Sequence, residues 1–146
     1  MKSSLLLPDV NVWVALAHFR HSHYKVAAEW LASEPEARLY FCRHTQLGLL
    51  QILTNESAMG PDVMTQRAAW KGYNRFFEDA RVDFMAEPSN ASELGYLLER
   101  LSLNSRPSPK LWSDAYLGAF AMAAGFTLVS FDRALRALPG ISVQIL

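Results

Sequence analysis

Residues 112–134, WSDAYLGAFAMAAGFTLVSFDRA, decide the fold. They read as a helix, a glycine stop, a buried strand and then an acid. Ser113 is expected to cap a helix running through Tyr116, Leu117, Phe120 and Ala121. Asp114 falls in its first turn, where a carboxylate suits the positive end of the helix dipole. Gly125 ends the helix. Phe126 to Ser130 is a short apolar run, the pattern of a strand covered on both faces. Asp132 lies just past that strand. Near the N-terminus the pattern repeats: the apolar run Leu5, Leu6, Leu7 is followed by Pro8 and Asp9.

Outward from this stretch, apolar spacing predicts strands at 4–7, 39–41 and 82–85. It predicts helices at 9–19, 21–31, 45–53 with Thr45 as cap, 65–80 and 91–101. Residues 55–62 are turn-rich, 104–109 form a loop, and 141–145 suggest an edge strand. Strands alternating with helices imply an α/β fold with a mainly parallel sheet. Ligands of such sheets bind beyond the carboxyl ends of the strands. Asp9 and Asp132 both follow strands directly, and Asp114 sits at a helix start able to reach the same edge.

The chain has 146 residues, 51% of them hydrophobic, and a formal net charge of zero. Those values fit one globular domain over 1–146 and exclude disorder. No apolar run approaches membrane length, and the N-terminus is too short in apolar residues for a signal peptide. Cys42 is alone, so no disulfide framework or cysteine zinc site is expected. A cytoplasmic protein is the expectation. Zero net charge leaves only a local basic patch for nucleic acid. Arg43 and His44 follow the second strand, Arg106 and Lys110 precede Asp114, and Arg133 and Arg136 follow Asp132. They are expected around the acidic edge, as a phosphate-binding rim or as ordinary solvated surface.

Carboxylates meeting at a sheet edge repel one another unless a cation lies between them. A hard divalent ion such as Mg²⁺ takes oxygen ligands of this kind and equips a site for phosphodiester hydrolysis. Each acid also has a plain reading: Asp9 as a helix cap, Asp114 as a first-turn stabiliser, Asp132 as a turn residue. Asn11 and Ser130 have one too, in satisfying backbone groups nearby. The four histidines fit no zinc template. The tryptophans are mostly core by spacing, but Trp112, just before Asp114, is placed to stack on a base. Apolar residues of the helices at 21–31 and 65–80, including Trp30 and Phe77, exceed what one small core needs and suggest a dimer.

Asp9-Val10-Asn11-Val12, Thr45-Gln46-Leu47-Gly48, Ser113-Asp114-Ala115-Tyr116 and Ser130-Phe131-Asp132, in this order, resemble the PIN-domain ribonucleases. The likeness is to the VapC toxins of bacterial toxin–antitoxin pairs and spans essentially the whole chain. It implies a PIN-like three-layer α/β/α fold and a Mg²⁺- or Mn²⁺-dependent endoribonuclease, commonly dimeric and inhibited by a cognate antitoxin. It places Asp9, Asp114 and Asp132 on the family's acidic positions, and Asn11 and Ser130 on supporting polar ones. One departure stands out: the family commonly has Glu where this chain has Gln46, which is expected to face the same sheet edge as Asp9 and, with Ser130, to orient the metal's waters. That departure supports a rival reading, a PIN-like module that no longer cleaves and binds RNA or a protein partner.

Overall fold

Short apolar runs make the strands, and their period of two decides which core each residue serves. The computed structural model describes residues 4–89 and 91–146. Its strands are β1 (Leu5–Pro8), β2 (Arg38–Phe41), β3 (Val82–Phe84), β4 (Thr127–Ser130) and β5 (Val143–Ile145). They form one sheet in the order β3-β2-β1-β4-β5, and every pairing is parallel. The expected edge strand is therefore present as β5.

Alternation along the strands splits the core in two. Leu6, Leu39, Phe41 and Val129 pack under α1 (Val10–Ala17), α2 (Tyr24–Ala32), α3 (Arg43–Leu53), the short α4 (Glu56–Met59) and α5 (Gln66–Phe76). Leu7 and Leu128 pack on the opposite face under α6 (Ala91–Ser102) and α7 (Leu111–Ala124). The result is the expected three-layer α/β/α arrangement, in which parallel strands are covered on both faces. Trp13 anchors the first core by stacking on Phe41 at 3.8 Å, and Phe76 and Tyr73 meet the same pair edge-on.

Several helix ends differ from expectation for local reasons. The helix expected at 21–31 begins at Tyr24, because residues 18–23 form a turn in which the His23 N–H donates to His21 Nδ1. Helix α3 starts at Arg43, not Thr45. Cys42 is its N-cap, and Thr45 accepts from the Cys42 N–H at 3.0 Å as the other half of a capping box. Ser113 does not cap α7, which starts at Leu111 after Lys110. Gly125 does end that helix, at φ +77°, a conformation few other residues tolerate. Trp30 is buried and Phe77 packs against Phe41 and Tyr73. Both serve the core, so neither carries the argument for a dimer. The large apolar groups left in solvent include Leu103, Trp112 and Tyr96.

Candidate functional site

A parallel sheet brings all its strand ends to one edge, and here that edge is built around Ser130. Pro8 of β1 pairs with Val129 of β4. The next residue on each chain is therefore Asp9 beside Ser130. The Asp9 N–H donates to the Val129 carbonyl at 2.8 Å. Asp9 also caps α1, with Oδ1 accepting from the Val10 N–H at 2.8 Å. Ser130 is fully buried. Its hydroxyl donates to Asp9 Oδ2 at 2.8 Å and accepts from Asn11 Nδ2 and the Asp132 N–H, both at 3.0 Å. Asn11 Oδ1 in turn accepts from the Phe131 N–H at 3.2 Å. One hydroxyl, with one proton and two lone pairs all used, fixes two acids and an amide relative to one another.

The acids feel each other. Burial pushes the Asp9 carboxyl above the usual range, against the bonds from Ser130 and Val10 and the nearby His44, with the Asp132 charge adding to the rise. Asp114 is pushed up to about 6, by burial first and then by the charges of Asp9 and Asp132. No Arg or Lys is among the charges acting on either group. Three carboxylates from three elements thus lie near enough to act on one another's charge. As they stand, two are partly committed to the backbone: Asp9 Oδ1 caps α1, and Asp132 Oδ1 accepts from the Ala134 N–H at 2.9 Å, as the cap of the 3-10 turn Arg133–Ala137. Accordingly, no three Asp, Glu, His or Cys side chains among the described residues are already gathered into a cage for a metal ion. The donor set itself, hard oxygens held unfavourably close in charge, fits a divalent cation.

The remaining expected residues divide. Gln46 is buried, and its amide oxygen accepts from Arg43 Nη1 while its side chain also bonds Tyr73 of α5. Arg43 is exposed, with its guanidinium 4.9 Å from the centre of the Phe84 ring of β3. Arg106, Lys110 and Arg133 are exposed, the first two in the loop leading into α7. His44 was expected only on the rim. It stands close enough to Asp9 to act on its charge, and its ring lies 5.5 Å from that of Tyr116. Tyr116 also donates to Glu87 at 3.0 Å. Position just past a strand end is the signal for His44, and a place in the Ser113-Asp114-Ala115-Tyr116 motif is the signal for Tyr116. The other histidines hold local structure: His18 pairs with Asp62 at 3.3 Å, and His23 stacks on Phe131. A groove of about 400 Å³ leads from Asp9 and Asn11 past Val14 to His18, walled by Ile52 and Met59. A larger hollow, about 850 Å³, lies between α6 and the start of α7 and does not touch Asp9 or Asp132.

Comparison with known proteins agrees with this architecture. The PIN domain model matches residues 6–141. Ribonuclease VapC41 of Mycobacterium tuberculosis is 36% identical over 146 residues, which cover 97% of this chain and 99% of that protein. The crystal structure of M. tuberculosis VapC20, described as a sarcin-ricin loop cleaving toxin, superposes with a TM-score of 0.67. It is 17% identical and covers 93% of this chain and 95% of its own. VapBC-1 from nontypeable Haemophilus influenzae gives the same TM-score at 17% identity, covering 97% of both chains. The chain belongs to the PIN-domain family, and within it to the VapC-type proteins.

Proposed function

We propose that this protein is a divalent-metal-dependent endoribonuclease, the toxin of a toxin–antitoxin pair, acting in the cytoplasm. The observation that carries this is the convergence of Asp9, Asp114 and Asp132 from β1, α7 and β4, with Asp114 raised to about 6 by burial and its neighbours. The names of its relatives, a ribonuclease and a loop-cleaving toxin, support the choice of RNA. Among the described residues no helix is long and apolar enough to cross a membrane.

Asp9, Asp114 and Asp132 would hold Mg²⁺ or Mn²⁺. When bound, such a cation supplies charge neutralisation and an acidified water for phosphodiester hydrolysis. The chain's own residues do the rest. Ser130 fixes the plane of the Asp9 carboxylate, and Asn11 fixes Ser130. Arg106, Lys110 and Arg133 bind phosphates on either side of the acids and set the strand's register without reading its sequence. Gln46, bonded by Arg43, orders waters of the metal, and the exposed Arg43 adds to the phosphate-binding rim. The neutral amide at 46 brings no charge to the acidic set, and it is the residue on which the rival reading of a non-cleaving module rests. An antitoxin segment covers the acidic edge in the inhibited state, and the toxin works as a homodimer, as in the family it belongs to.

The test is cleavage of RNA by the purified protein with Mg²⁺ or Mn²⁺ and with a chelator. Asp9→Asn and Asp132→Asn should each abolish cleavage while the fold persists, since an amide keeps the capping oxygen but not the charge. Wild-type-like cleavage by both variants contradicts the assignment.

A further inference from the structure

We propose that His44 touches the substrate, giving a hydrogen bond from its imidazole N–H to a non-bridging oxygen of the scissile phosphate. This rests on the RNA-cleaving reading of the acidic edge and adds to it a further substrate-contacting residue. Of the four histidines, three are occupied by the fold. His18 pairs with Asp62 at 3.3 Å, His21 Nδ1 accepts from the His23 N–H, and His23 stacks on Phe131. His44 is half-buried, yet neither of its ring nitrogens has a hydrogen bond or an ion pair among the described residues. A ring drawn half out of water and left unbonded is costly in the free protein and available to a ligand.

Its place says which ligand. Strand order puts β2 beside β1, on the side away from β4. His44 is the second residue of α3, just past the end of β2, so it flanks the acids from that side. Its charge and that of Asp9 act on each other, whereas the charges acting on Asp114 are those of Asp9 and Asp132. Yet His44 is not the hydrogen-bond partner of Asp9, whose two oxygens are taken by the Val10 N–H and the Ser130 hydroxyl. The ring is also held in place. It lies 5.5 Å from that of Tyr116, and the Tyr116 hydroxyl is tied at 3.0 Å to Glu87, in the segment after β3. Three parts of the chain thus fix one unbonded donor beside a carboxylate of the acidic set. A phosphate seated over the acids turns a non-bridging oxygen toward that side, and charge on such oxygens is what a donor placed in advance stabilises. Burial holds the His44 pKa below its ordinary value, but the ring carries at least one N–H in either charge state. Donation therefore does not depend on its titration.

The experiment uses an RNA oligonucleotide that wild type cuts with Mn²⁺ at one mapped bond, made also with each phosphorothioate diastereomer at that bond. Single-turnover cleavage with enzyme in excess is followed for wild type, His44→Phe and His44→Gln. His44→Phe keeps a ring against Tyr116 and removes the donor. It should slow cleavage about a hundredfold, the effect of losing one donor at the reacting centre, while Mn²⁺ binding by calorimetry and the melting temperature stay near those of wild type. His44→Gln should recover much of the rate through its amide N–H. Sulfur accepts hydrogen bonds poorly, so one diastereomer should slow wild type and bring no further slowing to His44→Phe. Cleavage by His44→Phe at the wild-type rate overturns the proposal. So does a loss of Mn²⁺ binding that accounts for the slower rate, a His44→Gln protein no faster than His44→Phe, or sulfur effects of equal size in both proteins. Failure of wild type to cut any RNA with Mn²⁺ removes the nuclease reading and this one with it. Cleavage by wild type that is indifferent to residue 44 removes this one alone.

Discussion

Ser130 holds the site at the scale of single residues. It is fully buried and joins Asp9, Asn11 and the Asp132 backbone through one oxygen. Ser130→Ala leaves Asp9 Oδ2 and the Asn11 amide without that partner, one of them charged. Loss of about 2 kcal/mol is expected, read as a lower urea midpoint at unchanged slope, and Asp9 should become harder to ionise. A variant as stable as wild type would mean that water replaces the hydroxyl. Asp114 has a pH signature. Its carboxyl titrates near 6 in the folded protein against an ordinary 3.8, so the folded state keeps a proton that the unfolded chain has already released. Stability is then lost as pH rises from about 4 to about 6, and the loss is complete above that window. Asp114→Asn removes this dependence. The variant's stability relative to wild type should grow across the window and level off above it, measured without metal. A constant difference from pH 4 to pH 8 would contradict the coupling. The acids were legible because each follows a strand or opens a helix. The fate of Gln46 was not: its partner Tyr73 comes from α5, and local spacing says nothing about which distant side chain reaches it.

Between elements, the close approach is that of α1 and α3. A Cβ added at Gly48 would come within 2.5 Å of Val10 Cγ2, and a β-branched side chain in a helix has little freedom to turn away. Gly48→Ala gains helix propensity of about 1 kcal/mol but overpacks this contact at a cost of about 1–3 kcal/mol. A net loss of about 1 kcal/mol is expected, and because Val10 adjoins Asp9, activity should fall with it. Adding Val10→Ala should recover much of the stability. A Gly48→Ala protein more stable than wild type would mean that the helices separate freely. Strand and helix order could be read from periodicity alone, as β5 illustrates. Helix starts could not: the capping box of Cys42 with Thr45 sets one, and α7 begins at Leu111 with no side-chain cap to mark it.

For the molecule as a whole, the sheet order β3-β2-β1-β4-β5 puts β1 and β4 side by side, and α7 feeds β4 directly. Those two facts bring residues more than a hundred positions apart in sequence to one edge. The topology thus gathers three carboxylates, and the proposed function assigns their neutralisation to an ion from solution. Metal binding should therefore expel the proton that Asp114 holds near pH 6. Calorimetric titration with Mn²⁺ in buffers of different ionisation enthalpy measures that release. The expected result is binding by wild type with release of a fraction of a proton near pH 6, release fading to none by pH 8, and no binding by Asp9→Asn or Asp132→Asn. Binding that survives in both variants, or that releases no proton near pH 6, would contradict the account.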